Sequence, residues 1–228
     1  MKLEEYVDLS DEKIEKFNNY MNLTLEWNEK INLTAITDKE EFVLKHFIDS
    51  LTVKDCINDN CSLIDVGTGA GFPGIPLKIY NDTLKVTLLD SLNKRINFLN
   101  EVIKSLDLKD IKTIHSRAED AAHMKEYREK YDVSISRAVA QLNVLVEYLL
   151  PFVKVGGRCI CMKGSNAEEE IKNAKNAIKE LGGEIEEVKK FNLPGTDMER
   201  NIIVIKKINN CKNKYPRKAG TPLKEPII

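Results

Sequence analysis

The sequence lacks an excess of charge of either sign: 35 Lys and Arg stand against 36 Asp and Glu in 228 residues, a formal net charge of −1. That balance excludes a polycation that coats nucleic acid by charge alone. No apolar run approaches the roughly 20 residues needed to span a bilayer, so no membrane partner is expected. The acidic start, Met1-Lys2-Leu3-Glu4-Glu5, has no apolar signal-peptide core, and a cytoplasmic protein is expected. Cysteines are few and odd in number: Cys56, Cys61, Cys159, Cys161 and Cys211 contain no CxxC pair. His46, His115 and His123 bring no ligand spacing near them, so buried thiols are expected rather than a metal site or a disulfide. Cys159 and Cys161 are two apart in an apolar run and should share one face of a strand. What is present is ample apolar content, 42%, in a chain long enough for one large domain or one domain with an appendage.

Three regions separate by pattern. Residues 1–60 read as a helical N-terminal appendage. Ser10 before Asp11 and Glu12 forms an N-cap with an acidic first turn, and Ile14, Phe17, Met21 and Leu25 follow at helical spacing. Thr37-x-x-Glu40 has the form of a capping box opening a second helix to about Leu51. With 14 acids and 7 bases, this region is not the main phosphate-binding surface. Residues 61–208 alternate apolar strand-like runs (62–66, 86–89, 111–114, 133–135, 158–162 and 202–205) with helical patterns. Ser91 is placed to cap one helix, and Ser165-x-x-Glu168 to box another that Gly182-Gly183 stops. Repeated strand–helix units imply a mostly parallel α/β sheet covered on both faces, with ligands at the carboxyl ends of its strands. Residues 209–228 form a basic tail. Lys206 to Ile228 hold seven bases and one acid, Glu225, and Pro216, Pro222 and Pro226 oppose a regular helix. The tail reads as a solvated end or, slightly favoured by the acidic head, as an arm against phosphate.

The strongest local signal is Leu63-Ile64-Asp65-Val66-Gly67-Thr68-Gly69-Ala70-Gly71-Phe72-Pro73-Gly74-Ile75-Pro76. An apolar strand ends in an acid and enters a glycine-rich turn before a helix, whose first N–H groups suit a carboxylate or phosphate. No Lys follows the glycines, which excludes the triphosphate loop GxxxxGK[ST]. Gly69, Gly71 and Gly74 spell the dinucleotide pattern GxGxxG, and a nicotinamide-dependent oxidoreductase is the competing enzyme reading. Asp65, however, opposes a pyrophosphate and suits an ammonium. S-adenosylmethionine, with ammonium, sulfonium and carboxylate in one molecule, fits better. Asp90 closes the next strand run, where a carboxylate accepts ribose hydroxyls; alternatively it caps the following helix. Ser116-Arg117-Ala118-Glu119-Asp120 follows the third run and Ser136-Arg137-Ala138 the fourth. The fourth strand end, where an acceptor would be handled, lacks the Asn/Asp-Pro-Pro-Tyr/Phe of transfer to exocyclic amines. Pro-Cys, used for transfer to pyrimidine carbon, is missing too. What remains is a ring nitrogen, an oxygen or a small molecule. A catalytically idle RNA- or ribosome-binding factor is the reading from another class, and the intact glycine loop opposes it.

Further motifs run through nearly the whole chain in one order: Trp27-Asn28 with Asn32-Leu33-Thr34-Ala35-Ile36, His46-Phe47-Ile48-Asp49-Ser50-Leu51, the glycine loop, Leu88-Leu89-Asp90-Ser91-Leu92-Asn93-Lys94-Arg95, Arg117-Ala118-Glu119, Ser136-Arg137-Ala138, Lys163-Gly164, Arg200, and Tyr215-Pro216-Arg217-Lys218-Ala219-Gly220-Thr221-Pro222. In these the chain closely resembles the bacterial 16S ribosomal RNA guanine-N7 methyltransferases of the RsmG type, historically the glucose-inhibited division protein B family. The resemblance implies a class I, Rossmann-like S-adenosylmethionine-dependent methyltransferase with a mostly parallel seven-stranded sheet, helices on both faces and extra N-terminal helices. It implies 16S RNA or the small ribosomal subunit as partner, S-adenosylmethionine without a metal, and methyl transfer to guanine N7. Nothing demands more than a monomer. By the resemblance, Gly67, Phe72, Ala118, Glu119 and Arg137 contact the cofactor, joined by Asp65, Gly69, Gly71 and Asp90 from the loop and ribose arguments. Arg137 and Lys163 are the catalytic candidates. Lys94, Arg95, Lys163, Arg200, Arg217 and Lys218 are candidates for RNA phosphates or the base edge. His46, Asp49 and Ser50 either serve the site or lock the N-terminal helices onto the sheet.

Overall fold

Ser10 ends the extended entry of the chain and starts its longest helix, α1 (Asp11–Ile31), its hydroxyl accepting the Lys13 N–H at 3.4 Å. The computed structural model describes residues 3–137 and 139–228; Met1 and Lys2 of the acidic start and Ala138 of the Ser136-Arg137-Ala138 run lie outside the described residues. Helix α1 stops where Asn32 turns left-handed, and it buries Phe17, Tyr20, Met21 and Thr24. The second helix opens one residue later than its expected capping box. Asp38, not Thr37, is the cap, and its carboxylate accepts the Glu41 N–H at 2.9 Å. The helix begins as α2 (Lys39–Phe42), widens into a π-helical stretch (Val43–Ile48), and tightens again as α3 (Asp49–Leu51). A π-helix carries an extra residue per turn and is frequent at functional sites.

The remaining elements alternate: β1 (Ser62–Val66), α4 (Gly74–Tyr80), β2 (Lys85–Asp90), α5 (Asn93–Ser105), β3 (Ile111–His115), α6 (Ala118–Ala121), β4 (Tyr131–Arg137), α7 (Leu142–Leu149), β5 (Val153–Lys163), α8 (Ala167–Glu180), β6 (Gly183–Asn192), β7 (Glu199–Lys207) and α9 (Thr221–Lys224). Among the described residues, seven strands form one sheet in the order β3-β2-β1-β4-β5-β7-β6. Strands β1 to β5 pair in parallel; β7 runs antiparallel to both β5 and β6. The order reverses direction between β1 and β4, which opens a crevice at their carboxyl ends.

Six strands fall on the apolar runs of the sequence. The seventh, β6, does not: Glu184, Glu186, Glu187, Lys189 and Lys190 make it an exposed edge, specified by pairing with β7 rather than by hydrophobic period. Helix caps differ as well. Leu92 stands at the start of α5 without a side-chain bond, because the Asp90 carboxylate, not Ser91, takes the Leu92 N–H at 2.9 Å. Asn166 precedes α8 without a side-chain bond, so the Ser165-x-x-Glu168 box does not form.

Alternate residues of the central strands serve opposite faces. Leu63 and Ile160 join Phe17, Phe42, Phe47, Ile75 and Phe98 in the core under α1, α4 and α5. Ile64, Cys159 and Cys161 join Leu145, Leu149, Ala174 and Ile178 in the core under α7 and α8. Cys159 and Cys161 are free, buried thiols 3.7 Å apart on one face, as their spacing predicts. The helices of residues 1–60 therefore share one apolar cluster with the sheet. They also make a polar tie, since the buried Tyr20 hydroxyl donates to the Ala70 carbonyl of the glycine loop at 2.5 Å.

The tail lies along the body. Cys211 and Tyr215 are buried against the α7–α8 side. The Arg128 guanidinium donates to the carbonyls of Ala122, Cys211, Lys212 and Tyr215 at 2.7–3.2 Å. One turn of helix, α9, does form despite the prolines, because Pro222 sits in its first turn, where a missing N–H removes no helical bond.

Tyr20→Phe keeps the ring packing and leaves the Ala70 carbonyl without its donor. Urea unfolding should show a loss of about 1–3 kcal/mol; an unchanged midpoint would mean that the bond contributes nothing.

Candidate active site

The glycine loop is organised from beneath. Asp65, fully buried at the end of β1, accepts the Thr68 hydroxyl at 2.6 Å and the Gly74 N–H at 2.9 Å through Oδ2. Its Oδ1 is buried without a hydrogen-bond partner. Burial pushes the carboxyl up to about 6, against the lowering effects of Thr68, Gly74 and the Arg137 charge. Asp65 thus ties the loop together and places a negative charge under it. Gly67 has φ +69, and a Cβ there would come within 2.9 Å of Val139 Cγ2. The Gly69 N–H donates to Asp90 Oδ2 at 3.0 Å, which locks the loop to the end of β2.

Two clefts open at the carboxyl ends of the strands. The first is lined by Val66 and Gly67 after β1, Asp90 after β2, Ser116 to Glu119 after β3, and Val139 and Tyr148. Of the residues expected at a cofactor it gathers Gly67, Asp90, Ala118 and Glu119. Gly69 and Gly71 stay within the loop behind it. Asp90 accepts from Gly69, Leu92 and Arg95, the last at 3.3 Å. An ionised carboxylate has about four acceptor positions, so one remains for a ribose hydroxyl, and the long Arg95 contact is the one most easily displaced for a second. Asp90 thus takes the Leu92 N–H at the start of α5 and lines the cleft at the same time. Glu119 accepts the Gly220 N–H through Oε1 at 2.9 Å. The orphaned Asp65 oxygen beneath the loop, and the Val139 side chain packed so close to Gly67 that no Cβ fits there, make a floor whose negative charge favours a cation, sulfonium or ammonium, above it. The same charge opposes a dinucleotide pyrophosphate.

The second cleft lies beside it, lined by Ile36, Lys45, His46, Asp49, Arg137, Met162, Lys163, Gly164 and Arg200. The segment leaving β4 feeds both, with Arg137 in this cleft and Val139 in the first. Arg137 Nη1 donates to Asp49 Oδ2 and to the Lys45 carbonyl, both at 2.9 Å, and its Nη2 approaches His46 Nδ1 at 3.2 Å. Its guanidinium also stands 5.1 Å from the centroid of the buried Phe72 ring. Asp49 turns its other oxygen to Arg200 Nε at 2.8 Å. His46 stacks on Phe72 with centroids 4.4 Å apart and an interplanar angle of 8°. Because Arg137 only donates, Nδ1 of His46 is the acceptor, and Nε2–H donates to Thr34 Oγ1 at 2.8 Å. Burial, reinforced by Arg137 and Lys45, pushes this imidazole down to about 3, so it is neutral. Lys163 is tied to the Ala140 carbonyl and to Glu170, each at 2.5 Å. Ser50 donates to the His46 carbonyl at 2.5 Å and stays in the helix.

The structure therefore brings Arg137, Lys163 and Arg200 together. Lys94 and Lys218 are exposed elsewhere, and Arg217 pairs with the buried Glu147. Two carboxylates at the clefts carry no sequence signal that singles them out. Glu170 pairs with Lys163 and accepts the Leu142 N–H, and Glu147 holds the tail through Arg217. Asp49, expected to serve the site or to lock the N-terminal helices, lines the second cleft and ties those helices to β4 and β7. Among the described residues, no group of three or more His, Cys, Asp or Glu could hold a metal ion, and no helix is long and apolar enough to cross a membrane.

Sheet order, acid-tied glycine loop and paired clefts define a class I, Rossmann-like S-adenosylmethionine-dependent methyltransferase. Solved structures agree on the fold. The M. jannaschii protein TYW2, in complex with AdoMet, superposes with a TM-score of 0.59 at 16% identity over 76% of this chain and 80% of its own. The [4+2]-cyclase SpnF matches at a TM-score of 0.59 and 11% identity, over 87% of this chain and 97% of its own. The particular family follows from sequence: the model for rRNA small subunit methyltransferase G matches residues 13–203, and the chain belongs to that family. Relatives named ribosomal RNA small subunit methyltransferase G are 60% identical in Acetivibrio thermocellus (97% of this chain, 91% of the relative) and 53% identical in Alkaliphilus metalliredigens (96% and 92%).

The depressed His46 pKa sets a direction for acid stability. Folded His46 stays neutral to about pH 3, whereas the unfolded imidazole protonates near 6.5, so its contribution is present above that pH and is lost as pH falls. Compared with His46→Gln, the parent should lose roughly 2 kcal/mol more between about pH 7 and pH 5 in urea unfolding; parallel losses would contradict this.

Proposed function

We propose that this protein transfers a methyl group from S-adenosylmethionine to N7 of a guanine in the 16S RNA of the small ribosomal subunit, without a general base. Family membership and fold support the coarser statement, a small-subunit rRNA methyltransferase using S-adenosylmethionine. The finer one rests on a single observation: the ionisable groups lining the second cleft that bear on proton transfer already have partners. His46 is neutral and held at both ring nitrogens, Asp49 lies between two arginines, and Lys163 is paired with Glu170. Guanine N7 suits such a cleft, because it offers an in-plane lone pair and carries no proton to remove.

S-adenosylmethionine supplies an electrophilic methyl on a sulfonium. The chain binds and aligns. Asp90 and Glu119 hold the adenosine side in the first cleft, with Gly67 and Ala118 supplying close backbone approach. Asp65 places negative charge beneath the cationic end. Phe72, packed under Arg137 and His46, braces the junction with the second cleft, and Gly69 and Gly71 fix the loop's path. Arg137, Arg200 and Lys163 present donors where the guanine arrives. A donor at O6 would leave N7 free, as the chemistry requires. Alignment of nucleophile, methyl and leaving sulfur can supply effective molarities of about 10⁵–10⁸ M. A guanine that is stacked in the subunit must first be drawn out, at a cost of a few kcal/mol. Arg95, Lys94 and Lys218 are assigned to RNA phosphates, and the enzyme acts as a monomer.

Methyl transfer from radiolabelled S-adenosylmethionine is tested on 16S RNA and on assembled small subunits from a strain lacking this gene. Label recovered as 7-methylguanosine at one position is expected. Label in another nucleoside, or none despite measurable cofactor binding, would overturn the assignment. Arg137→Ala should lower transfer by at least about 100-fold while most of the protein stays folded. Activity falling only in proportion to the folded fraction would remove Arg137 from the site.

A further inference from the structure

We propose that the basic C-terminal tail completes the cofactor cleft, with Arg217 and the Gly220 amide acting as positioning groups for Glu119. The proposal rests on the adenosine reading of the first cleft. Two of the tail's contacts are to carboxylates at the cleft: Glu147, buried beside the cleft-lining Tyr148, and Glu119, which lines it. Arg217 gives three groups to Glu147 of α7: its own N–H to Oε1 at 2.7 Å, Nε to Oε1 at 3.0 Å, and Nη2 to Oε2 at 2.7 Å. Glu147 is fully buried, and its neighbour Tyr148 lines the cleft. Three residues further on, the Gly220 N–H reaches Glu119 Oε1 at 2.9 Å. Glu119 is itself only 7% exposed and lines the same cleft.

This geometry differs from that of a phosphate-seeking arm. Such an arm leaves its guanidinium facing solvent, whereas Arg217 is occupied by a carboxylate of the same chain. Lys212 and Lys214 are likewise drawn to Glu180. The segment before Arg217 is pinned at the main chain, by the Arg128 guanidinium and by His123 Nε2–H donating to the Pro216 carbonyl at 2.7 Å. Gly220 makes the final turn at φ +83, a conformation that side chains disfavour, although nothing lies within 4 Å of where a Cβ would stand. The turn, not space, requires glycine, and it aims the N–H at Glu119. With Oε1 so occupied, the rotamer of Glu119 is fixed and Oε2 is left for the ligand.

The test is a mutant cycle read by calorimetric titration with S-adenosylmethionine, alongside the affinity of each variant for small subunits. Glu119→Gln, Arg217→Ala and Gly220→Ala should each weaken S-adenosylmethionine binding, the tail variants by about 5- to 10-fold. The double variant Arg217→Ala with Glu119→Gln should bind within about two-fold of Glu119→Gln alone, since the tail acts through that carboxylate. Subunit affinity should change less than two-fold. If Arg217→Ala fails to fold because Glu147 is left charged and buried, Arg217→Ala with Glu147→Gln takes its place. Weakened subunit binding with unchanged cofactor affinity would make the tail an RNA arm and overturn the proposal. Fully additive effects in the cycle would do the same by showing general damage. Unchanged cofactor affinity in Glu119→Gln would instead overturn the adenosine reading itself, and the positioning role with it.

Discussion

One carboxylate, Asp49, joins three parts of the chain that are far apart in sequence. It is 4% exposed, sits where the π-helical stretch returns to α3, and holds Arg137 at the end of β4 and Arg200 in β7. Removing one partner of a buried ion pair strands the other, typically at about 3–5 kcal/mol. The two arginines and one acid together carry a net positive charge at the mouth of the second cleft, which suits a polyanionic substrate. A chain of nearly neutral overall charge thus concentrates positive charge at the cleft proposed for the RNA base rather than over its whole surface.

Arg137 transmits this constraint to the rest of the site. Its guanidinium fixes the His46 tautomer, lies near the Phe72 ring and adds positive charge near Asp65. Phe72 belongs to the glycine loop, which Tyr20 of α1 holds from the other side through the Ala70 carbonyl. The N-terminal segment is therefore part of the site's frame: Ile36, Lys45, His46 and Asp49 form one wall of the second cleft, and Tyr20 braces the glycine loop. An acidic segment, unsuited to binding phosphate, thus lies beside the cleft proposed for the RNA base because it frames that cleft rather than binding the RNA.

Much of this was legible from local pattern. The apolar runs located six strands, Ser10 started α1, and the acid-bounded glycine loop marked the first cleft. Pattern failed where specification is not local. Strand β6 carries adjacent charges, Glu186-Glu187 and Lys189-Lys190, and is largely exposed at the sheet edge, so only its pairing with β7 identifies it. Asp38 displaced Thr37 as the cap because its carboxylate, one residue later, is the group that reaches the Glu41 amide in the first turn of α2. Nor did pattern show that Asp65 also ties the loop from beneath, through Thr68 and Gly74. The pairs Asp49–Arg200 and Glu147–Arg217 are separated by 151 and 70 positions, and no periodicity reports such contacts. The tail's charges suggested phosphate for the same reason, since its carboxylate partners lie in other elements.

The central claim is that alignment, not proton removal, drives methyl transfer in a cleft whose ionisable groups are already paired. The direct test is the single-turnover rate of transfer to small subunits at saturating S-adenosylmethionine, followed from about pH 7 to pH 8.5. A base-free attack predicts a rate that stays level across this range. A rate that rises with pH along a titration curve would reveal a group losing a proton to reach its working form, and would contradict the account.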